Sequence, residues 1–204
     1  MDTLVLDPYV SERLLRERRD RGIDVFDEVW DGVYVMAPAP NDEHQEIEMN
    51  LARPLLEVVQ DKKLGTVRLR VNLASDPNDW EHDYRIPDIV VFLQGSPAIC
   101  HGAFWSGPPD FIVEIASPND KTREKLAFYA KVQTRELLLI DRDPWRLELY
   151  QLKRKSLALV ASTAPGDPTA VVSNVLPMTF KLLPGSPRPS IDVAAIDLDR
   201  KWTI

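Results

Sequence analysis

Two short apolar runs constrain this chain most: Ile89-Val90-Val91-Phe92-Leu93 and Phe111-Ile112-Val113-Glu114-Ile115-Ala116. Runs of this length without polar alternation mark strands covered on both faces, so the fold needs a central sheet with layers packed on each side. Both runs carry a carboxylate that the apolar pattern does not explain. Asp88 opens the first run directly after Pro87, and Glu114 lies inside the second. A lone carboxylate in such a strand would be strongly destabilising. A cation, an Arg or Lys partner, strong hydrogen bonds or protonation must compensate it. Spacing alone leaves two readings open. Asp88 and Glu114 share a divalent ion, or Glu114 pairs with a basic residue while Asp88 merely opens its strand. Oxygen ligands of this kind suit Mg²⁺ or Mn²⁺, which retain open positions for phosphate oxygens.

The rest of the chain supplies the covering layers. Asp7-Pro8 is a helix start, with an acid at the cap and Pro where no amide is needed, and Gly22 ends that helix. Val25 to Trp30 and Val33 to Ala37 flank Asp31-Gly32, a strong hairpin signal. Asn41 caps a second helix, in which Ile47, Leu51, Leu55, Val58 and Val59 recur at helical spacing and Pro54 predicts a kink or break. Thr66 to Ala74 alternates with period two, as one half-buried strand does. Asp76 to Tyr84 reads as a polar loop, and its Asp79, Glu81, His82 and Asp83 as solvated charges. A helix from about Lys121 to Val132, a strand Leu137 to Ile140 and a hairpin, Arg146 to Leu152 with Ser156 to Ala161, follow. The Pro-rich end reads as strands and loops packed on the same core. This order predicts an α/β (α+β) fold with a mixed central sheet flanked by helices, in one domain spanning residues 1–204.

Composition removes several classes of function. With 44% hydrophobic and 28% charged residues, the chain has the make-up of a globular protein. Its apolar runs are too short to span a bilayer, and its first residues lack the basic-then-apolar order of a signal peptide, so a cytoplasmic location without a membrane partner is expected. The single cysteine, Cys100, excludes an internal disulfide and a thiolate cage. A net charge of −7 argues against a dedicated nucleic-acid scaffold. It leaves room for a local basic patch, for which Arg68, Arg70, Lys121, Arg123, Lys125 and Lys131 are candidates, or these are simply solvated charges. There is no Gly-x-Ser-x-Gly elbow, Walker loop, Gly-x-Gly-x-x-Gly or His-Glu-x-x-His. His44, near the start of the second helix, reads either as a neutral ligand or proton shuttle or as a structural hydrogen-bonder.

Pro87-Asp88 followed by Glu114 on a second apolar strand resembles the PD-(D/E)XK nuclease superfamily. Further matching text is Glu28-Val29-Trp30-Asp31-Gly32, Met36-Ala37-Pro38, His44, Pro87 to Phe92, Pro109 to Pro118, Lys125 to Tyr129 and Ile140-Asp141. In that order and spacing it resembles one branch, the Uma family of restriction-endonuclease-like proteins, from about Glu28 to Asp141. The resemblance implies a restriction-endonuclease-like core over about residues 23–161. It further implies a Mg²⁺- or Mn²⁺-dependent endonuclease acting on DNA. Asp88 and Glu114 would be the metal ligands, with the Ile115 carbonyl as a third. The superfamily's lysine would fall at Ala116 and is absent. Lys125 matches the helix lysine that substitutes for it in this branch. Glu28 would be an accessory acid, as would His44 an accessory residue, and two cuts in a duplex imply a homodimer. The alternative is the same fold without hydrolysis, serving as a binding or assembly module.

Overall fold

The computed structural model describes residues 8–117 and 121–204. The Asp7 cap and Pro118 lie outside them. The first helix, α1, is Pro8–Asp20, and Gly22 ends it in the left-handed region. The hairpin forms as expected around Asp31 and Gly32. Both have positive φ, 47° and 82°, the signature of a tight primed turn. A Cβ on Gly32 would stand 2.6 Å from the exposed His82 ring, which would have to move, and the positive φ itself favours glycine there. The paired segments are shorter than expected, Glu28–Trp30 and Val33–Val35.

Asn41 caps the second helix, α2, Asp42–Leu55, by accepting the His44 N–H at 3.0 Å. Pro54 lies inside α2 without ending it; the helix runs on to Leu55 and passes directly into a π turn, Leu56–Gln60, so the apolar face continues through buried Val58 and Val59.

The central sheet has the order Ser156–Thr163, Trp145–Lys153, Glu136–Arg142, Phe111–Ile115, Ile89–Leu93, Gly65–Leu69. Only the pair Phe111–Ile115 and Glu136–Arg142 is parallel. A parallel pair needs a crossover, supplied here by a 3₁₀ turn, Thr122–Lys125, leading into helix α3, Leu126–Lys131. The helix expected over Lys121 to Val132 is therefore shorter. Gln133, at φ 63°, turns the chain out of it. Phe111, Val113 and Ile115 face α2 and a C-terminal antiparallel sheet of Val171–Val172, Met178–Leu183, Ser190–Ala195 and Arg200–Thr203. Ile112 faces the other way, toward Phe128 and Tyr129 of α3. The C-terminal sheet shares the first core through Phe180 and Val193, and Ser173 also donates to buried Glu136 at 2.6 Å.

Two expectations are corrected. The single strand Thr66 to Ala74 is two: Gly65–Leu69 closes the central sheet, and Leu73–Ala74 joins a second sheet of short strands. The sequence alternation runs through the break, but Leu69 is exposed while Leu73 and Ala74 are both buried, and the ladder changes partners at Arg70, which stands at φ 48° with its amide on the Asp88 carbonyl. Asp83 is not a solvated loop charge. It is buried and accepts from Ser75, Arg85, Lys131 and the Asp31 amide, joining the hairpin to α3. Burial alone would push its carboxyl up, yet these donors hold it down at about 2. A carboxyl with a depressed folded pKa stabilises the protein above its unfolded value and loses that contribution as pH falls through the folded one. Asp83→Asn is expected to cost on the order of 2 kcal/mol at neutral pH. In urea unfolding, the gap to wild type should close between pH 3.8 and about 2. A gap unchanged at the acid end would show that the charge on Asp83 contributes nothing.

Candidate functional site

Asp88 stands where the central strands end and elements from opposite faces of the sheet meet. Its Oδ2 accepts the Ile115 amide at 2.7 Å, locking the start of one strand to the end of its neighbour. Its Oδ1 lies 2.9 Å from His44 Nε2 on α2. One helical turn beyond His44, and so on the same face, α2 presents buried Glu48. Donor atoms of His44, Glu48 and Asp88 all lie within 4.8 Å of one another, which makes them a set able to hold a metal ion. Arg70 grips Glu48 through both its Nε and Nη2 and stacks over the Phe26 ring. The unexpected turn at Arg70 is thus what delivers this cation to the site.

Glu114 points toward α3. Its Oε1 accepts from Tyr129 and lies 3.3 Å from Lys125 Nζ, while Lys125 also reaches Glu28 Oε1 at 2.9 Å. Glu28 is held in turn by the Ile86 amide at 2.8 Å and the Trp30 indole at 2.7 Å. Burial pushes the Glu114 carboxyl up; Lys125 pulls against it, and the charges of Asp88 and Glu28 add to the upward push. Burial also works against the Lys125 charge, but Glu114, Glu28 and Asp88 outweigh it and keep the ammonium's pKa above its ordinary value. Glu48 is raised by burial, with Arg70 opposing and Asp88 reinforcing. Asp88 therefore couples electrically to both halves of the site.

Two buried arginines brace these halves. Arg142 donates to the Ala116 carbonyl, Ser117, Asn41 and Glu43, so it ties the cap of α2 to the end of the Glu114 strand. Arg85 lies between the rings of Trp30 and Phe128, at 4.6 and 4.3 Å, and connects the Glu28 hairpin to α3.

All five candidate side chains, Glu28, His44, Asp88, Glu114 and Lys125, are gathered in these two groups, and the fixed contact of Ile115 is its amide on Asp88. Three partners were given no site role by sequence: Glu48, Tyr129, and Arg70, which was read only as a basic-patch candidate. Glu48 and Tyr129 each follow a named candidate by four residues, a spacing that places them on the same helical side. Arg70 carried no such signal, because its role depends on a break in a strand that alternates without interruption. The proposed basic patch is largely consumed: Arg70, Arg123, Lys125 and Lys131 all pair with acids. In metal-free buffer, Lys125→Met leaves Glu28 and Glu114 without their shared cation and is expected to cost about 3 kcal/mol by chemical denaturation. An unchanged midpoint would mean that the lysine does not hold these acids.

The Uma2 family model, described as "Putative restriction endonuclease", matches residues 16–185. Among solved structures, the fold is similar to that of "a putative nuclease belonging to DUF820" from Anabaena variabilis. The TM-score is 0.56 at 19% identity, covering 72% of this chain and 80% of that one. No curated protein matches. The structural likeness bears on the fold, while the family model spans most of the chain, including every residue of the two groups above. This chain belongs to the Uma2 family.

Proposed function

We propose that this protein is a divalent-metal-dependent endonuclease that hydrolyses DNA phosphodiester bonds, working as one domain in a homodimer. The observation that carries the reading is charge balance. Among the described residues, Glu28, Glu48, Asp88 and Glu114 are met by two permanent cations, Lys125 and Arg70, with Glu28, Glu48 and Glu114 buried and Asp88 half-buried. A divalent ion at Asp88 would offset the surplus, and the donors suit it: His44 with the carboxylates of Asp88 and Glu48. The nitrogen donor and the oxygens together favour Mn²⁺ at least as well as Mg²⁺. Such an ion supplies Lewis-acid polarisation of a phosphate oxygen and a lowered pKa for bound water.

The protein's own residues do the rest. Lys125, held charged between two acids, presents an ammonium to the scissile phosphate and neutralises charge that develops there. Glu114 keeps Lys125 and Tyr129 oriented, and Glu28 fixes Lys125 from its other side. The Ile115 amide holds Asp88 in place. A second reading, a binding or assembly module on the same fold, draws on a different feature. Lys125 already neutralises Glu28 and Glu114 internally, so that half of the site is satisfied without a metal.

Calorimetric titration of Mn²⁺ and Mg²⁺, paired with plasmid nicking, separates the two readings. Wild type is expected to bind the ion and nick DNA. Asp88→Asn should lose both, Glu48→Gln should bind more weakly, and Lys125→Met should retain binding while nicking about 100-fold more slowly. Absence of metal binding in folded wild type would overturn the enzyme and leave the module. Light scattering of the wild type is expected to give twice the chain mass, and a monomer at working concentration would remove the dimer.

A further inference from the structure

The cations suggested by sequence for guiding a nucleic-acid strand are mostly locked in ion pairs, which raises the question of where a chain of net charge −7 keeps free positive charge. One set of unpaired cations lies at α1. Arg13, Arg16 and Arg19 recur every third residue along this helix, interleaved with the exposed acids Glu12, Glu17 and Asp20; Arg21 follows it, and all four arginines are exposed. Arg13 meets Glu17 only at 3.9 Å between two well-exposed side chains, a contact worth little. Arg16, Arg19 and Arg21 have no ion pair among the described residues. Arg18 differs in role. It turns inward and clamps Asp27 through Nε and Nη2, both at 2.6 Å, and its Nη2 also reaches the Ala37 carbonyl.

This anchor sets the position of the helix. Asp27 also accepts from Tyr34 and the Ala37 amide, and it immediately precedes Glu28, which holds Lys125. Ala37 leads within four residues to the Asn41 cap of α2, which carries His44. The base of α1 is thus fastened to both chain segments that enter the candidate site. A second run of cations, Lys153-Arg154-Lys155, sits elsewhere. It occupies a hairpin turn near the Gln151–Glu136 pair, whereas the site lies by Ile115 and Ile140, toward the other end of the same ladder.

We infer that α1 is a DNA-contacting arm whose Arg16, Arg19 and Arg21 neutralise backbone phosphates of duplex DNA beside the site; this rests on the nuclease reading. Its contribution is electrostatic and independent of base sequence, because exposed arginines on a helix pinned by its last turn offer charge rather than a fitted pocket. The family match begins at Arg16, so the first half of the arm lies beyond it.

The test measures binding of a fluorescent duplex oligonucleotide by anisotropy across a salt series, in EDTA so that no cleavage occurs. The triple variant Arg16→Gln/Arg19→Gln/Arg21→Gln is expected to bind at least about tenfold more weakly, with the slope of log affinity against log salt shallower by roughly 2 to 3. The control Lys153→Gln/Lys155→Gln should keep the wild-type slope, and thermal melting should show both variants folded. An unchanged slope in the folded triple variant, or an equal loss in the control, overturns the arm. If wild type nicks plasmid with Mn²⁺ while the triple variant keeps its slope, the arm alone fails. If wild type neither binds the duplex nor nicks, the arm and the nuclease reading fail together.

Discussion

A buried lysine shared by two carboxylates is the interaction on which the rest of this structure depends. Lys125 contacts Glu28 from the hairpin and Glu114 from the central sheet, so one ammonium joins two layers directly. Taking charges out of water is costly, and the cost is offset only when partners are close and remaining donors and acceptors are used. Tyr129, Trp30 and the Ile86 amide fill that requirement. Each belongs to a different segment, so satisfying one lysine assembles much of the fold around it.

The same logic recurs with arginine. Arg142, Arg85, Arg70 and Arg18 each link segments distant in sequence, and each brings several donors in a planar fork. Arg142 fastens the cap of α2 to the end of the Glu114 strand, Arg85 sits between aromatic rings, Arg70 grips Glu48 and Arg18 grips Asp27. An acidic protein has few cations to deploy, and this one uses most of its well-placed ones internally. Among the described residues, Arg16, Arg19 and Arg21 at α1 and Lys153, Arg154 and Lys155 at a hairpin turn are left without ion pairs.

The core strands, the hairpin, the Asn41 cap and the helical run of α2 were all legible, because each follows from local rules of period, turn chemistry or capping. The division of Thr66 to Ala74 was not. The sequence alternates straight through both halves, and only pairing with two different sheets separates them. Asp83 was misjudged for a related reason. A stretch rich in acids looks solvated until Ser75, Lys131 and Arg85 arrive from elsewhere to bury one of them.

The candidate site divides in the same way. Sequence by itself determined that Asp88 and Glu114 sit on buried strands, because a carboxylate in an apolar run needs compensation whatever the fold. Resemblance added Glu28, His44 and Lys125. Which group each acid joins was decided only by tertiary structure: His44 and Glu48 beside Asp88, and Lys125, Tyr129 and Glu28 around Glu114. The reason is physical. Burial and periodicity are properties of a segment, whereas the distance between charges is a property of how segments cross, and Coulomb energy depends on that distance.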